Sequence, residues 1–289
     1  MLIVTDRGVD ISPEQLNGAE LHYAPLRLML DGKTYVSGVD LQPEEFYDLL
    51  GQTDGYPTTS QPSAGEFAEL YRSLAKIDPD ILSIHISSGL SGTLSSAEAG
   101  AQMVPEANVT FYDTKTLSCP MGWHVEAAVR AMQAGCTKEQ ILALLSKVTE
   151  KTEGMFTVAT MKYLIHGGRI SHLRGLLASL LNIKPIIGVE KERGTYVDWG
   201  KEVTLKRAIL KQADVVARFF EEGSAIRVQL LHAQNPEGVE MLRERLASRF
   251  DCTFLPTVPL SPVLGAHTGA GLVGMAVGPA DLLDDLPAL

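Results

Sequence analysis

The chain is poor in positive charge, has few cysteines, and contains no long unbroken apolar run. Twenty-five Lys and Arg face 35 Asp and Glu, giving a net charge of −10. No basic stripe is available to neutralise phosphates, which argues against nucleic acid as a partner. No polybasic segment is present to hold an anionic membrane surface. Cys119, Cys136 and Cys252 are odd in number, far apart and free of any CxxC spacing, so free thiols in a reducing cytoplasm are expected rather than a disulfide framework. The seven histidines include His166 and His172, but none stands at metal-ligand spacing from Cys or carboxylates, so neither a metal nor a cofactor is expected. The most apolar stretch, "GLLASLLNIKPIIGV", is interrupted by Asn182, Lys184 and Pro185 and is too short for a membrane span. The opening "MLIVTDRGVD" lacks the charged and apolar regions of a signal peptide.

The chain does have alternation. Its 289 residues, 45% hydrophobic and 21% charged, suffice for one large domain or two modest ones. "LIVT" (2–5), "ILSIHI" (81–86) and "VTFYD" (109–113) are short apolar strands of the kind buried in a parallel sheet. "LHYAPLRLML", Asp31-Gly32 and "KTYV" predict a hairpin, because Asp-Gly suits a type I′ turn. "PEEFYDLLG" predicts a short helix with Pro43 in its first turn. Capping boxes at Ser63/Glu66 and Thr137/Gln140 predict helices from about 64 to 75 and on to about 151. Such β–α alternation implies a helix-covered parallel sheet. Near Glu153 the rhythm changes to hairpins mixed with helices. These include a helix near 173–181, two strands around a turn at 192–194, and further helices at about 204–221 and 236–249. "IRVQLLHA", "TFLPTVP" and "GLVGMAVG" are the remaining strands. The expectation is an α/β fold with an N-terminal parallel-sheet α/β domain (1–152), a C-terminal α+β domain (153–289) and a ligand cleft between them.

Two segments are crowded with hydroxyls. "HISSGLSGTLSSA" (85–97) follows an apolar strand and "PTTSQPS" (57–63) precedes a capped helix; loops at the carboxyl ends of parallel strands form the usual binding crevice. Helix N-terminal amides and hydroxyl donors favour an anion. Without a Lys-Ser/Thr pair there is no P-loop, and a single carboxylate fits better than a dianionic phosphate. The bland alternative stays open: these hydroxyls only cap helices. His267, among the glycines of "GAHTGAGLVG", can approach a ligand closely or can be an ordinary histidine satisfied by backbone.

Together, "TSQPS" (59–63), "ISSGLSGT" (86–93), "YLIHGGRIS" (163–171), "KPII" (184–187) and "HTGAGLVG" (267–274) resemble the DegV family of bacterial fatty-acid-binding proteins, in the family's order and over nearly the whole chain. The resemblance implies two domains holding one long-chain fatty acid between them. It also implies presentation of the bound acid to a separate fatty-acid kinase, related to dihydroxyacetone kinases, which makes an acyl phosphate for phospholipid synthesis. By motif match the carboxylate is held by Thr59, Ser91 and His267, with Ser60, Gly92, Thr93 and Thr268 beside them, and Arg169 lies at the pocket mouth where the kinase docks. Two positions depart from the family pattern. Val203 stands where an arginine is frequent, with Lys201, Lys206 and Arg207 nearby, and Ala270 stands where a proline is frequent.

Ser91 with His267 also invites a serine hydrolase, since serine first and histidine late is the α/β-hydrolase order. Against it, Gly89-Leu90-Ser91-Gly92-Thr93 has threonine where the G-x-S-x-G elbow needs its second glycine. An interaction protein with a vestigial pocket is the third alternative.

Overall fold

The computed structural model describes residues 1–170, 183–284 and 286. The first half runs β1 (Leu2–Asp6), α1 (Pro13–Leu16), β2 (His22–Ala24), β3 (Arg27–Leu30), β4 (Lys33–Val36), α2 (Pro43–Gln52), β5 (Thr58–Ser60) and α3 (Ala64–Ala75). It continues with β6 (Asp80–His85), α4 (Thr93–Ala101), β7 (Asn108–Asp113), α5 (Ser118–Gln133) and α6 (Lys138–Lys151). The second half comprises β8 (Glu153–Thr157), α7 (Lys162–His166), β9 (Lys184–Val189), β10 (Tyr196–Glu202), α8 (Leu205–Val216) and β11 (Ala225–His232). α9 (Pro236–Ala247), β12 (Asp251–Phe254), β13 (Val258–Pro259), α10 (Pro262–Thr268) and β14 (Val273–Pro279) complete it. The helix expected near 173–181 lies outside the described residues.

The apolar strands of the first half form a parallel sheet in the order β2-β1-β6-β7, as their continuous hydrophobicity predicts. The expected hairpin is real but shorter than "LHYAPLRLML" suggests. Pro25 has no N–H to give a sheet ladder, and the chain changes sheets there. β2 stays with β1, whereas β3 joins a separate antiparallel sheet, β4-β3-β5. Asp31 and Gly32 both have positive φ, 50° and 76°, as a type I′ turn requires. Both capping boxes form, with Ser63 accepting from Glu66 N and Thr137 from Gln140 N. The second half builds one large sheet, β10-β9-β8-β14-β11-β12, with β13 also on β11; its pairs are antiparallel except β11 with β12 and with β13. "TFLPTVP" breaks into β12 and β13 at Pro256 for the same reason that Pro25 breaks the first hairpin.

One helix joins the two sheets. Thirteen of the sixteen residues of α5 are buried, so it carries no amphipathic stripe and escapes a periodicity search. It packs on β1 and β6 of one sheet and on β8, β11 and β14 of the other, and one apolar core runs through both halves, with a second between the large sheet and α8 and α9 and a third under α3. Glu126, at its centre, is wholly buried. Its carboxylate meets Arg130 at 2.6 Å, Arg227 of β11, and Gln15 Nε2 of α1 at 2.7 Å. Gln229 of β11 accepts from Trp123 Nε1 at 2.9 Å and donates to Gln15 Oε1 at 2.7 Å. Removing one partner of a buried pair strands the other charge in a low dielectric. Glu126→Ala should therefore lower unfolding free energy by about 3–5 kcal/mol in urea titration; a loss under about 1 kcal/mol contradicts this account of how the halves are joined.

Candidate functional site

A cavity of about 920 Å³, open solvent at its mouth included, lies where the two sheets and α10 meet. Ile86, after β6, and Thr116, Leu117 and Ser118, after β7, line one side, at the carboxyl ends of parallel strands. Met155 and Phe156 of β8, Val189 of β9, Tyr196 of β10, Leu231 of β11 and Met275 of β14 line another. Leu26, Leu90, Leu260, Val263, Leu264 and Leu272 add to a wall that is mostly apolar. Thr59, Ser60, Gln61, Ser91, Arg169, His267 and Thr268 bring the polar groups of interest to the same cavity.

The hydroxyl segments differ in how they are held. Ser91 follows β6 in a turn, as expected. Thr59 does not come from a loop of the parallel sheet: it is in β5, paired with Leu28 of β3, because β3 offers an antiparallel edge and the β-branched residue suits a strand. His267 is likewise not in a glycine loop but in the last turn of α10, which ends at Gly269 with φ of 70°. These placements put Thr59 Oγ1 2.8 Å from His267 Nε2, across 208 residues of chain. Ser91 Oγ lies 2.8 Å from Thr93 Oγ1 and accepts from Thr93 N at 3.3 Å. Thr93 is buried and Gly92 caps α4; neither lines the cavity. Ser60 is exposed at the rim, and Thr268 Oγ1 is spent on Leu264 O at 3.2 Å. Arg169 is exposed and donates to Gly167 O at 2.5 Å.

Three supporting residues have no motif that marks their task. Gln61 Nε2 donates to Gly92 O at 3.0 Å and to Ser96 Oγ at 2.8 Å, tying the Thr59 segment to the start of α4. Gly167 packs so closely on the His267 ring that a Cβ there would run into Nδ1. Asp10 accepts from Ser118 Oγ at 2.5 Å and from Ser261 N at 3.0 Å, joining the starts of α5 and α10; burial raises its pKa to about 7 against those bonds. Only the position of Gln61 inside "TSQPS" hinted at any of this.

Burial, and then the charge of Arg169, lower the pKa of His267 to about 4, so at neutral pH its ring is neutral. Nδ1 is buried with no partner among the described residues. A hydrolase needs a carboxylate at that nitrogen and the serine at the other. Here the second nitrogen meets Thr59, and Ser91 bonds Thr93, so the triad is not assembled. Among the described residues no cluster of His, Cys, Asp and Glu could hold a metal, and no helix is long and apolar enough to cross a membrane.

The cavity thus combines apolar walls with the hydroxyl and imidazole groups of Thr59, Ser91 and His267. The DegV family model, described as that of an uncharacterised protein, matches residues 1–280, and the chain belongs to the DegV family. A DegV domain-containing protein of Deinococcus radiodurans is 35% identical over 277 residues, spanning 96% of this chain and 95% of that protein. One from Staphylococcus aureus is 34% identical over 276 residues, spanning 96% and 98%. A DegV family protein of Thermus thermophilus, described for fatty acid binding, shares the fold with a TM-score of 0.87 at 31% identity, over 96% of this chain and 99% of that one. DegV of Bacillus subtilis, a fatty acid binding protein, gives 0.85 at 29% identity, over 96% and 98%.

The folded pKa of His267 lies below the usual 6.5. Stability tied to its neutral ring is thus present above 6.5 and lost as pH falls from there through about 4. In the ligand-free protein, the His267 ring proton, assigned by comparison with His267→Gln, should hold its neutral NMR shift from about pH 8 to about pH 5. A midpoint near 6.5 contradicts the burial described.

Proposed function

We propose that the chain binds one long-chain fatty acid in this cavity, with its carboxylate at Thr59, Ser91 and His267. The observation that carries the reading is the 2.8 Å contact of Thr59 with His267 at one end of an otherwise greasy chamber. The fatty acids bound by the Thermus thermophilus and Bacillus subtilis relatives support it. Burying ~15 methylenes at ~0.8 kcal/mol each contributes on the order of 12 kcal/mol. Association takes back several kcal/mol of that, and sub-micromolar affinity remains. Desolvating the carboxylate costs several kcal/mol. Two or three hydrogen bonds to it, at about 1.5–3 kcal/mol each, offset that cost. The tail therefore supplies affinity and the hydroxyls supply orientation. Ser60 and Thr268 flank the head group, and Gly92 and Thr93 hold Ser91.

In this reading the chain is a lipid-binding subunit rather than an enzyme. Its two halves, 1–152 and 153–289, act as domains around the ligand. It works in the cytoplasm and presents the carboxylate to a separate dihydroxyacetone-kinase-like fatty-acid kinase, whose acyl phosphate feeds phospholipid synthesis. The family resemblance supports this role. Arg169, exposed at the mouth and charged beside His267, is the kinase-facing residue. Val203 is exposed between β10 and α8, where exposed Lys201 and Lys206 take the place of the arginine frequent there; Arg207 is paired with Glu202 at 3.0 Å.

Denaturing extraction of the purified protein should release about one fatty acid per chain by mass spectrometry. No released lipid, together with no thermal stabilisation by oleate or palmitate, sinks the reading. Ser91→Ala should weaken fatty acid binding by about 1.5–3 kcal/mol, roughly ten- to over a hundredfold. It should change binding of the equal-length fatty alcohol far less. Arg169→Ala should keep its lipid while acyl phosphorylation by the cognate kinase slows; equal rates for variant and parent remove the docking role.

A further inference from the structure

The turn that carries Ser91 is built of serine and glycine, yet a carboxylate donor has to stand in one place. Leu90 N and Ser91 N both donate to Ser87 O at 3.0 Å, and Ser87 N donates to Thr116 O at 2.8 Å. Ser87 is fully buried. Its hydroxyl donates to Gly194 O at 2.8 Å and accepts from Gly89 N at 3.1 Å. Gly194 belongs to the turn between β9 and β10, on the other half of the chain, and has a φ of 66°. A Cβ at Gly194 would collide with Ser87 Oγ, and one at Gly89 would collide with Arg193 O. The two backbones therefore touch with no side chain to cushion them.

The β9–β10 turn is itself braced. The Glu190 carboxylate accepts from Glu192 N and Arg193 N, each at 2.9 Å, and from the Thr195 hydroxyl at 3.1 Å. Backbone bonds of 3.0 Å run from Gly194 N to Glu190 O and from Glu190 N to Thr195 O. The strands leaving this turn place Val189 and Tyr196 on the cavity wall.

We propose that the β9–β10 turn sets the carboxylate end of the site: Ser87 and Gly194 are positioning residues that fix where the Ser91 hydroxyl stands. The hairpin that contacts the ligand's apolar part thereby also aims a donor at its head, which couples the second half of the chain to head-group recognition. This inference rests on the fatty-acid reading above.

The test compares palmitate with hexadecanol on the parent, Ser87→Ala, Ser91→Ala and the double variant, with thermal melting as the check on folding. Alanine fits the Ser87 site, so this variant decides even if Gly194→Ala, strained at positive φ, fails to fold. Ser87→Ala should bind palmitate about five- to tenfold more weakly than the parent, as when one bond to a charged group is misaligned rather than removed. Its hexadecanol affinity should match the parent's, and adding Ser87→Ala to Ser91→Ala should cost nothing further. Parent-like palmitate binding by Ser87→Ala overturns the proposal, and so does an equal loss for acid and alcohol, which marks general loosening. A parent that binds no palmitate overturns the fatty-acid reading itself, and the positioning role falls with it.

Discussion

A helix buried on every face is the constraint on which the rest depends. From Ser118 to Val129 every residue of α5 is buried, so both sheets must close on it, and each of its neighbours is fixed by the same side chains. Glu126 turns that packing into a specific arrangement, because a buried carboxylate tolerates only positions in which Arg130, Arg227 and Gln15 all reach it. The cavity adjoins this helix. It lies at the first turn of α5, where Ser118 and Pro120 form part of the lining and Asp10 bonds both Ser118 and the start of α10.

Within the cavity the division of labour follows from solvent access. Apolar walls are drawn from five strands of the large sheet; Phe156, Val189, Tyr196 and Leu231 belong to the core shared by both halves, and Met155 and Met275 to the core behind that sheet. The polar end draws on β5, the turn after β6, and α10, and each piece is held by something else: Thr59 by β3, Ser91 by Thr93 and the Ser87 turn, His267 by Gly167. Burial keeps the His267 ring neutral, so the site offers donors without a fixed positive charge in contact; Arg169 supplies that charge from the rim.

A second polar constellation shows why geometry alone does not make chemistry. Asp6 Oδ2 lies 2.9 Å from His85 Nδ1, His85 Nε2 lies 2.7 Å from Ser83 Oγ, and Ser83 Oγ lies 2.8 Å from Tyr71 OH. The order is that of a catalytic relay. All four residues are fully buried between the parallel sheet and α3, and no substrate reaches them. They satisfy one another's hydrogen bonds and lock β1 to β6, since Asp6 also accepts from Ile86 N at 3.0 Å. His85 opens the hydroxyl-rich stretch that drew notice in the sequence, yet it belongs to the core, whereas Ser91 six residues later reaches the cavity.

Local chemistry made part of this legible from the sequence. Capping boxes, the Asp-Gly turn and the apolar strands depend on residues a few positions apart, so the parallel sheet, α3, α6 and the β3–β4 hairpin could be read without a structure. The family motifs likewise pointed to Thr59, Ser91 and His267. The helix α5 could not be read, because burial on all sides erases the periodicity that marks a helix. Nor could the strand setting of Thr59, which depends on the edge of β3, or the helical setting of His267, which depends on where α10 ends. The supports of the site were furthest from view. Asp10 with Ser261, Gly167 with His267 and Ser87 with Gly194 are pairs separated by roughly a hundred residues or more, joined by backbone contacts that no spacing rule records. Short-range hydrogen bonding determined the elements; closure of two sheets around one buried helix decided which of their ends would meet.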